Sequence, residues 1–219
     1  DGTSTRGGPV GAAPPARRET RRRRRAALGP RAEPGGLQQV HRTPVDAAGD
    51  TCARPPEADA PVSREIGRAS VVLTADCLPV LFAAVDGSVV GAAHAGWRGL
   101  LGGVLENTVR ALEAPPAGLL AWLGPAISQA AFEVGAEVRD AYTAADPAAA
   151  VHFAANARGR YQADLYALAR QRLANAGVDA VFGGGFCTYT DRDRFYSYRR
   201  DGECGRMASV IALTAAPGT

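Results

Sequence analysis

The pair Asp86-Gly87, set between two apolar runs, constrains this chain more than any other feature. Val80-Leu81-Phe82-Ala83-Ala84-Val85 precedes it and Ser88-Val89-Val90-Gly91-Ala92-Ala93 follows it. Asp-Gly is a dipeptide that tight turns favour, so the two runs read as antiparallel strands of one hairpin. Val71-Val72-Leu73 reads as a further buried strand before them. Residues 100–112 then repeat apolar positions at helical spacing, with Leu101, Val104, Leu105, Thr108, Val109 and Leu112 on one face, until Pro115-Pro116 stops the pattern. Residues 119–123 read as a short strand and 134–145 as a helix. Residues 164–176 read as a stronger helix, with Gly177 placed to end it. Residues 178–182 form a strand that runs into Gly183-Gly184-Gly185, and residues 207–214 form a last strand. A hairpin inside a mixture of strands and helices predicts an α/β (α+β) fold, a mixed-sheet sandwich flanked by helices, and argues against a doubly wound parallel sheet.

The length of 219 residues suits one domain with a tail. Residues 1–36 hold nine arginines and three acids, whereas residues 37–219 hold sixteen arginines and nineteen acids. The basic balance therefore belongs to the Arg/Gly/Pro-rich segment 1–36, expected to be partly disordered or irregular, with Arg21 to Arg25 as a solvated run. The folded domain is expected over 37–219. It is slightly acidic, so no nucleic-acid partner is expected. No apolar stretch approaches a membrane span, and the first residues lack a basic-then-apolar leader, so a cytoplasmic protein without a membrane partner is expected. All 25 basic residues are arginine, which removes lysine-based covalent catalysis from consideration.

The chain has three histidines and four cysteines. His41, Cys77 and His94 lie in short words: Leu37-Gln38-Gln39-Val40-His41, Thr74-Ala75-Asp76-Cys77-Leu78-Pro79-Val80 and His94-Ala95-Gly96-Trp97-Arg98-Gly99. Cys77 is expected in the connection before one strand, and His94 just past the end of the next. Two neutral imidazoles and a thiolate suit a three-ligand zinc site with its fourth position open. Taken singly, each has a plainer reading: Cys77 as a small buried hydrophobe, His94 as a core or turn histidine, His41 as a loop residue. The spacings match no local metal motif. His152 reads as structural, and Cys52, Cys187 and Cys204 form no paired framework. Arg98 opens a helix and suits an anion. The word Phe195-Tyr196-Ser197-Tyr198-Arg199-Arg200, followed by Gly205-Arg206-Met207, mixes rings and guanidinium groups that suit a base and its phosphate or ribose, or equally a hairpin with a charged turn.

Together with Leu123-Gly124-Pro125-Ala126-Ile127 and Cys187-Thr188, these words resemble the laccase-domain family, also described as polyphenol oxidase, peptidoglycan-editing factor and zinc-dependent purine nucleoside phosphorylase. The matches run in family order over roughly residues 37–214. The resemblance implies a metal site of His41, Cys77 and His94. It implies phosphorolysis of purine nucleosides such as adenosine, inosine and methylthioadenosine, with adenosine deamination as a second activity, and hence both transferase and hydrolase chemistry. Phosphate is then a co-substrate, with Arg98, Arg199, Arg206 and, through the looser word Ser4-Thr5-Arg6-Gly7-Gly8, Arg6 as candidate contacts. Cys77, His94 and the adjoining Asp76 are the candidate catalytic groups. The partner expected is a small nucleoside, and a homodimer is left open. Two alternatives stand beside this reading. A copper-dependent polyphenol oxidase (laccase) requires more histidines than three, although one Cys-His-His site would accept Cu2+. A Cys77–His94 hydrolase requires no metal.

Overall fold

In the computed structural model, residues 33–34, 45–46 and 59–215 are described. Two short strands come first, β1 (Glu33–Pro34) and β2 (Val45–Asp46), followed by β3 (Ala60–Ser63) and β4 (Arg68–Thr74). The hairpin is β5 (Leu78–Ala84) and β6 (Val90–Ala95). Helices α1 (Trp97–Gly102) and α2 (Val104–Ala111) follow, then β7 (Leu119–Leu123), β8 (Glu133–Val134) and α3 (Ala136–Ala145). The chain continues through β9 (Phe153–Ala155), β10 (Tyr161–Ala163), α4 (Leu165–Asn175) and β11 (Ala180–Gly183). It ends with α5 (Tyr198–Asp201) and β12 (Met207–Ala212).

A six-stranded sheet in the order β11-β7-β5-β6-β3-β2 is the spine. It is mixed: β11 with β7 and β2 with β3 are parallel, and the four central strands pair antiparallel. A second sheet, β1-β4-β12, lies against β5 and β6, and a third, β8-β10-β9, adds Val134, Phe153 and Ala163 to the core. The mixed-sheet sandwich flanked by helices is thus the fold. Strand alternation divides the labour of β5 and β6. Val80, Phe82, Ala93 and Ala95 join Leu119, Ala121 and Leu123 in the core beneath Leu105, Leu165 and Leu168. The alternate residues turn to the opposite face, where β4 and β12 pack; those of β6, Ala92 and His94 among them, are buried, and Leu81 and Ala83 of β5 are half-buried. A strand covered on both sides reads as a continuous apolar run, which is why the period of two is invisible in Val90–Ala95.

Four readings need correction. His94 lies inside β6, not beyond its end. The single helix over 100–112 is two helices, beginning earlier at Trp97 and broken at Gly103, whose φ of 94° ends α1 and starts α2. Only glycine takes that conformation without strain, and the apolar spacing runs straight through it. The helix over 134–145 begins at Ala136, because Glu133 and Val134 pair with β10. Helix α4 agrees with its signals: the Asp164 carboxylate accepts the Ala167 N–H at 3.0 Å, and Gly177 follows the helix with φ 80°. An Arg172–Glu106 ion pair of 2.7 Å joins α4 to α2. The word 195–200 leads through Ser197, as N-cap, into the short helix α5 (Tyr198–Asp201) rather than forming a hairpin. The segment 1–36 lies outside the described residues except for Glu33–Pro34, which pairs in parallel with β4.

Leu105 is fully buried between α2 and the sheet. Truncating it removes core contacts and leaves a void, so Leu105→Ala is expected to cost about 3 kcal/mol, measured as a lower midpoint in urea unfolding. A change below about 1 kcal/mol there contradicts the packing described.

Candidate functional site

Strand pairing builds the site before any side chain acts. Leu78 pairs with Ala95 and Pro79 with His94, so Cys77, one residue before β5, arrives opposite Gly96, one residue after β6. A Cβ placed on Gly96 would stand 3.0 Å from Cys77 Sγ and 3.7 Å from His94 Nε2. Those two donor atoms therefore border one small space, and glycine keeps it open.

His94 is buried, with 2% of its surface exposed, and its Nδ1 lies 3.0 Å from Oδ1 of Asp59, which is fully buried. The His94 N–H also donates to the Asp59 carbonyl at 2.8 Å. The backbone contact ties His94 to Asp59, and the Nδ1 contact orients the ring so that Nε2 faces Cys77. Burial disfavours the charged ring. The Asp59 carboxylate and the Cys77 thiol, both hydrogen-bonded to it, outweigh that and push His94 up to about 9. Carboxylate, imidazole and outward Nε2 form the pattern in which a histidine ligates a metal with its other nitrogen held.

Asp76 adjoins Cys77 with φ of 82°, a conformation uncommon outside glycine. Its buried carboxylate accepts three hydrogen bonds from the distant C-terminal segment: Thr188 Oγ1 at 2.6 Å, Ser197 Oγ at 3.0 Å and the Arg199 N–H at 2.7 Å. The Asp76 carbonyl takes the Ile127 N–H at 3.0 Å, and the Thr188 N–H goes to Ala126. Thus the words around 76, 126, 188 and 197, scattered along the chain, meet at one end of the large sheet. Met207 pairs with Thr74, so the last strand begins beside the same connection.

The arginines are placed unequally. Arg199 donates to the Glu133 carbonyl at 2.9 Å and lies over the Phe132 ring. Arg206 turns back on the carbonyls of Cys204 and Gly205, and lies against Tyr198. Arg98 is exposed, 4.2 Å from the Trp97 ring centre, in the first turn of α1. His41 and Arg6 lie outside the described residues, as does Cys52. Among the described residues no group of three His, Cys, Asp or Glu side chains is placed to hold a metal ion. The structure therefore brings together two of the three expected donors, Cys77 and His94. It adds Asp59, which sequence reasoning missed: a lone acid between Ala58 and Ala60 carries no local signal. His152 sits apart, its carbonyl taking the Asp164 N–H.

A second thiol, Cys187, directly precedes Thr188, the residue whose hydroxyl donates to Asp76. Cys187 Sγ accepts the Ser128 hydroxyl at 3.0 Å. Partial burial would raise this thiol, but hydrogen bonds from Ser128 and Thr190 favour the thiolate and bring it down to about 7. Alkylation of Cys187 is therefore expected to rise with pH through a midpoint near 7. Ser128→Ala removes one donor, moves that midpoint upward and slows the reaction at neutral pH. An unchanged profile in the variant, by peptide mapping, would refute the cause given.

Comparison with known proteins identifies the family and the fold. The family described as multi-copper polyphenol oxidoreductase laccase matches residues 6–214. Purine nucleoside phosphorylase YfiH of Escherichia coli is 53% identical over 178 residues, covering 81% of this chain and 72% of that protein. Purine nucleoside phosphorylase PA4543 of Pseudomonas aeruginosa is 54% identical over 181 residues, 82% of this chain and 74% of that one. The crystal structure of Neisseria meningitidis protein NMB0706 superposes with a TM-score of 0.88 at 49% identity, over 95% of this chain and 86% of that chain. YlmD from Geobacillus stearothermophilus gives 0.81 at 29% identity, over 89% and 79%.

Proposed function

The chain belongs to the multi-copper polyphenol oxidoreductase laccase family, and from that premise we propose that it is a zinc-dependent purine nucleoside phosphorylase that also deaminates adenosine. The contact of Cys77 and His94 around Gly96, with Asp59 behind the imidazole, is the observation that carries the reading. The names of relatives about half identical to it support the phosphorylase activity.

The donor set fits zinc: one thiolate, one oriented imidazole, and a carboxylate holding the imidazole's other nitrogen. Cys77 and His94 would hold the ion, with His41 as the third ligand. A bound zinc would supply Lewis acidity and a water of lowered pKa. Ligation requires the Cys77 thiolate and a neutral Nε2 on His94, and the Asp59 contact at Nδ1 fixes the tautomer that leaves Nε2 available. In phosphorolysis a phosphate oxygen bonds to C1′ of the ribose while the C1′–N9 bond breaks. The base departs with the electron pair and takes up a proton. The protein must hold the anion against C1′ and neutralise it. Arg98, exposed in the first turn of α1 and four residues after His94 in the same word, is the described candidate this reading favours. Arg199 and Arg206 are engaged with backbone carbonyls and need to let go first. A cytoplasmic location belongs to the same proposal, since a thiolate ligand is kept reduced there.

A copper oxidase of the kind the family description names needs a type 1 centre and a trinuclear centre, and three histidines in the chain cannot furnish both. A second reading is favoured by one contact. Cys77, His94 and Asp59 are also arranged as nucleophile, base and orienting acid.

Protein purified without added metal is expected to carry about one zinc per chain and to release hypoxanthine from inosine only when phosphate is present. Cys77→Ala should lose both zinc and turnover, and Asp59→Asn should weaken zinc retention about tenfold or more. Full turnover without metal would replace this reading with the cysteine hydrolase.

A further inference from the structure

The three donors on Asp76 have a consequence for the neighbouring residue. Asp76 is held at φ 82°, where a non-glycine residue is strained, and such strain persists only where the surroundings over-determine it. Thr188 and Ser197 donate to the carboxylate, Arg199 donates through its backbone, and Ile127 binds the carbonyl. Thr188 and Ser197 are both fully buried. Cys77 is the next residue along, and the direction of its Cα–Cβ bond depends on the dihedrals that these bonds fix.

We propose that Thr188 and Ser197 are positioning residues that clamp Asp76 and thereby aim Cys77 Sγ at the space beside Gly96 and His94. Thr188 and Ser197 thus act on the site through Asp76, without touching substrate. Asp76 does not touch it either, because its carboxylate oxygens are taken by the protein. The clasp is tied at its outer side as well: the Arg200 guanidinium donates to the carbonyls of Thr188, Tyr189 and Phe195, gathering the two ends of the 188–197 loop. Ser197 has a second duty in receiving the Arg200 N–H at 3.2 Å, so Thr188, whose side chain bonds Asp76, is the cleaner position to alter. Replacing its hydroxyl by a methyl keeps the volume and leaves one buried Asp76 oxygen unpaired.

The proposal rests on the site reading given above, and two readouts separate the two. The first is zinc affinity of the full chain, by competition with a chelating dye, in wild type, Thr188→Val, Thr188→Ser and Val109→Ala. Thr188→Val should bind about tenfold more weakly, and Thr188→Ser, which restores the hydroxyl, should stay within about twofold of wild type. Val109→Ala is a core truncation remote from the clasp. It should lower thermal stability and leave zinc affinity unchanged. The second readout is the rate at which iodoacetamide modifies Cys77 after chelator treatment, mapped by peptide mass. Thr188→Val should change it about fivefold or more against wild type and Thr188→Ser, since alkylation follows thiol access and orientation. A wild type that binds no zinc removes the metal assignment, and the alkylation comparison still decides the clasp. Zinc affinity and Cys77 reactivity that stay at wild-type values in Thr188→Val, or that move equally in Val109→Ala, overturn the proposal.

Discussion

The pairing of β5 with β6 is the constraint from which the rest of the site follows. Its register sets Pro79 against His94 and therefore Cys77 against Gly96. Side chains alternate across a strand, so a slip of one residue would turn His94 from the face toward β4 and β12 to the face beneath the helices. There it would lie in an apolar core without Asp59. The hairpin connection helps to hold the register: Gly87 takes φ of 73°, and the Asp86 carboxylate accepts both the N–H and the hydroxyl of Ser88. The donors thus come from the paired hairpin and the residue before it, while the residues that orient them come from far along the chain.

That division explains the polar content of an otherwise apolar interior. Asp59 and Asp76 are buried carboxylates, which is expensive unless each oxygen finds donors. Asp59 meets His94, and Asp76 meets two hydroxyls and one backbone N–H. Both carboxylates stand beside a proposed ligand rather than in a ligand's place. One holds the imidazole's direction, and the other holds the backbone that carries the thiol. Large apolar side chains secure the fold on the helix side of the sheet. The opposite face and the sheet's end carry the chemistry.

The sequence made some of this legible and concealed the rest for physical reasons. Local signals carried well: the Asp-Gly turn, the strand Leu119–Leu123, and the Asp164 cap with Gly177 beyond the helix all depend on neighbours a few residues away. The hairpin also brought Cys77 and His94 together as its geometry allowed. Gly103 was hidden because apolar spacing continues across the break it makes. Asp59 was hidden because its partner lies 35 residues away, and Thr188 and Ser197 because theirs lie 112 and 121 residues away. A hydroxyl in a buried loop looks like any turn residue until the partner is seen. The words quoted for the family contain Asp76, Cys187 and Thr188 side by side with their neighbours, but nothing local tells which of them touches which.

The central claim is that Cys77 and His94 ligate one metal ion. The direct test is X-ray absorption at the zinc edge on the protein as purified. One sulfur at about 2.3 Å together with nitrogen or oxygen neighbours at about 2.0 Å is the predicted shell, and the sulfur signal should vanish in Cys77→Ser. A shell of nitrogen and oxygen alone in the wild-type protein would contradict the claim.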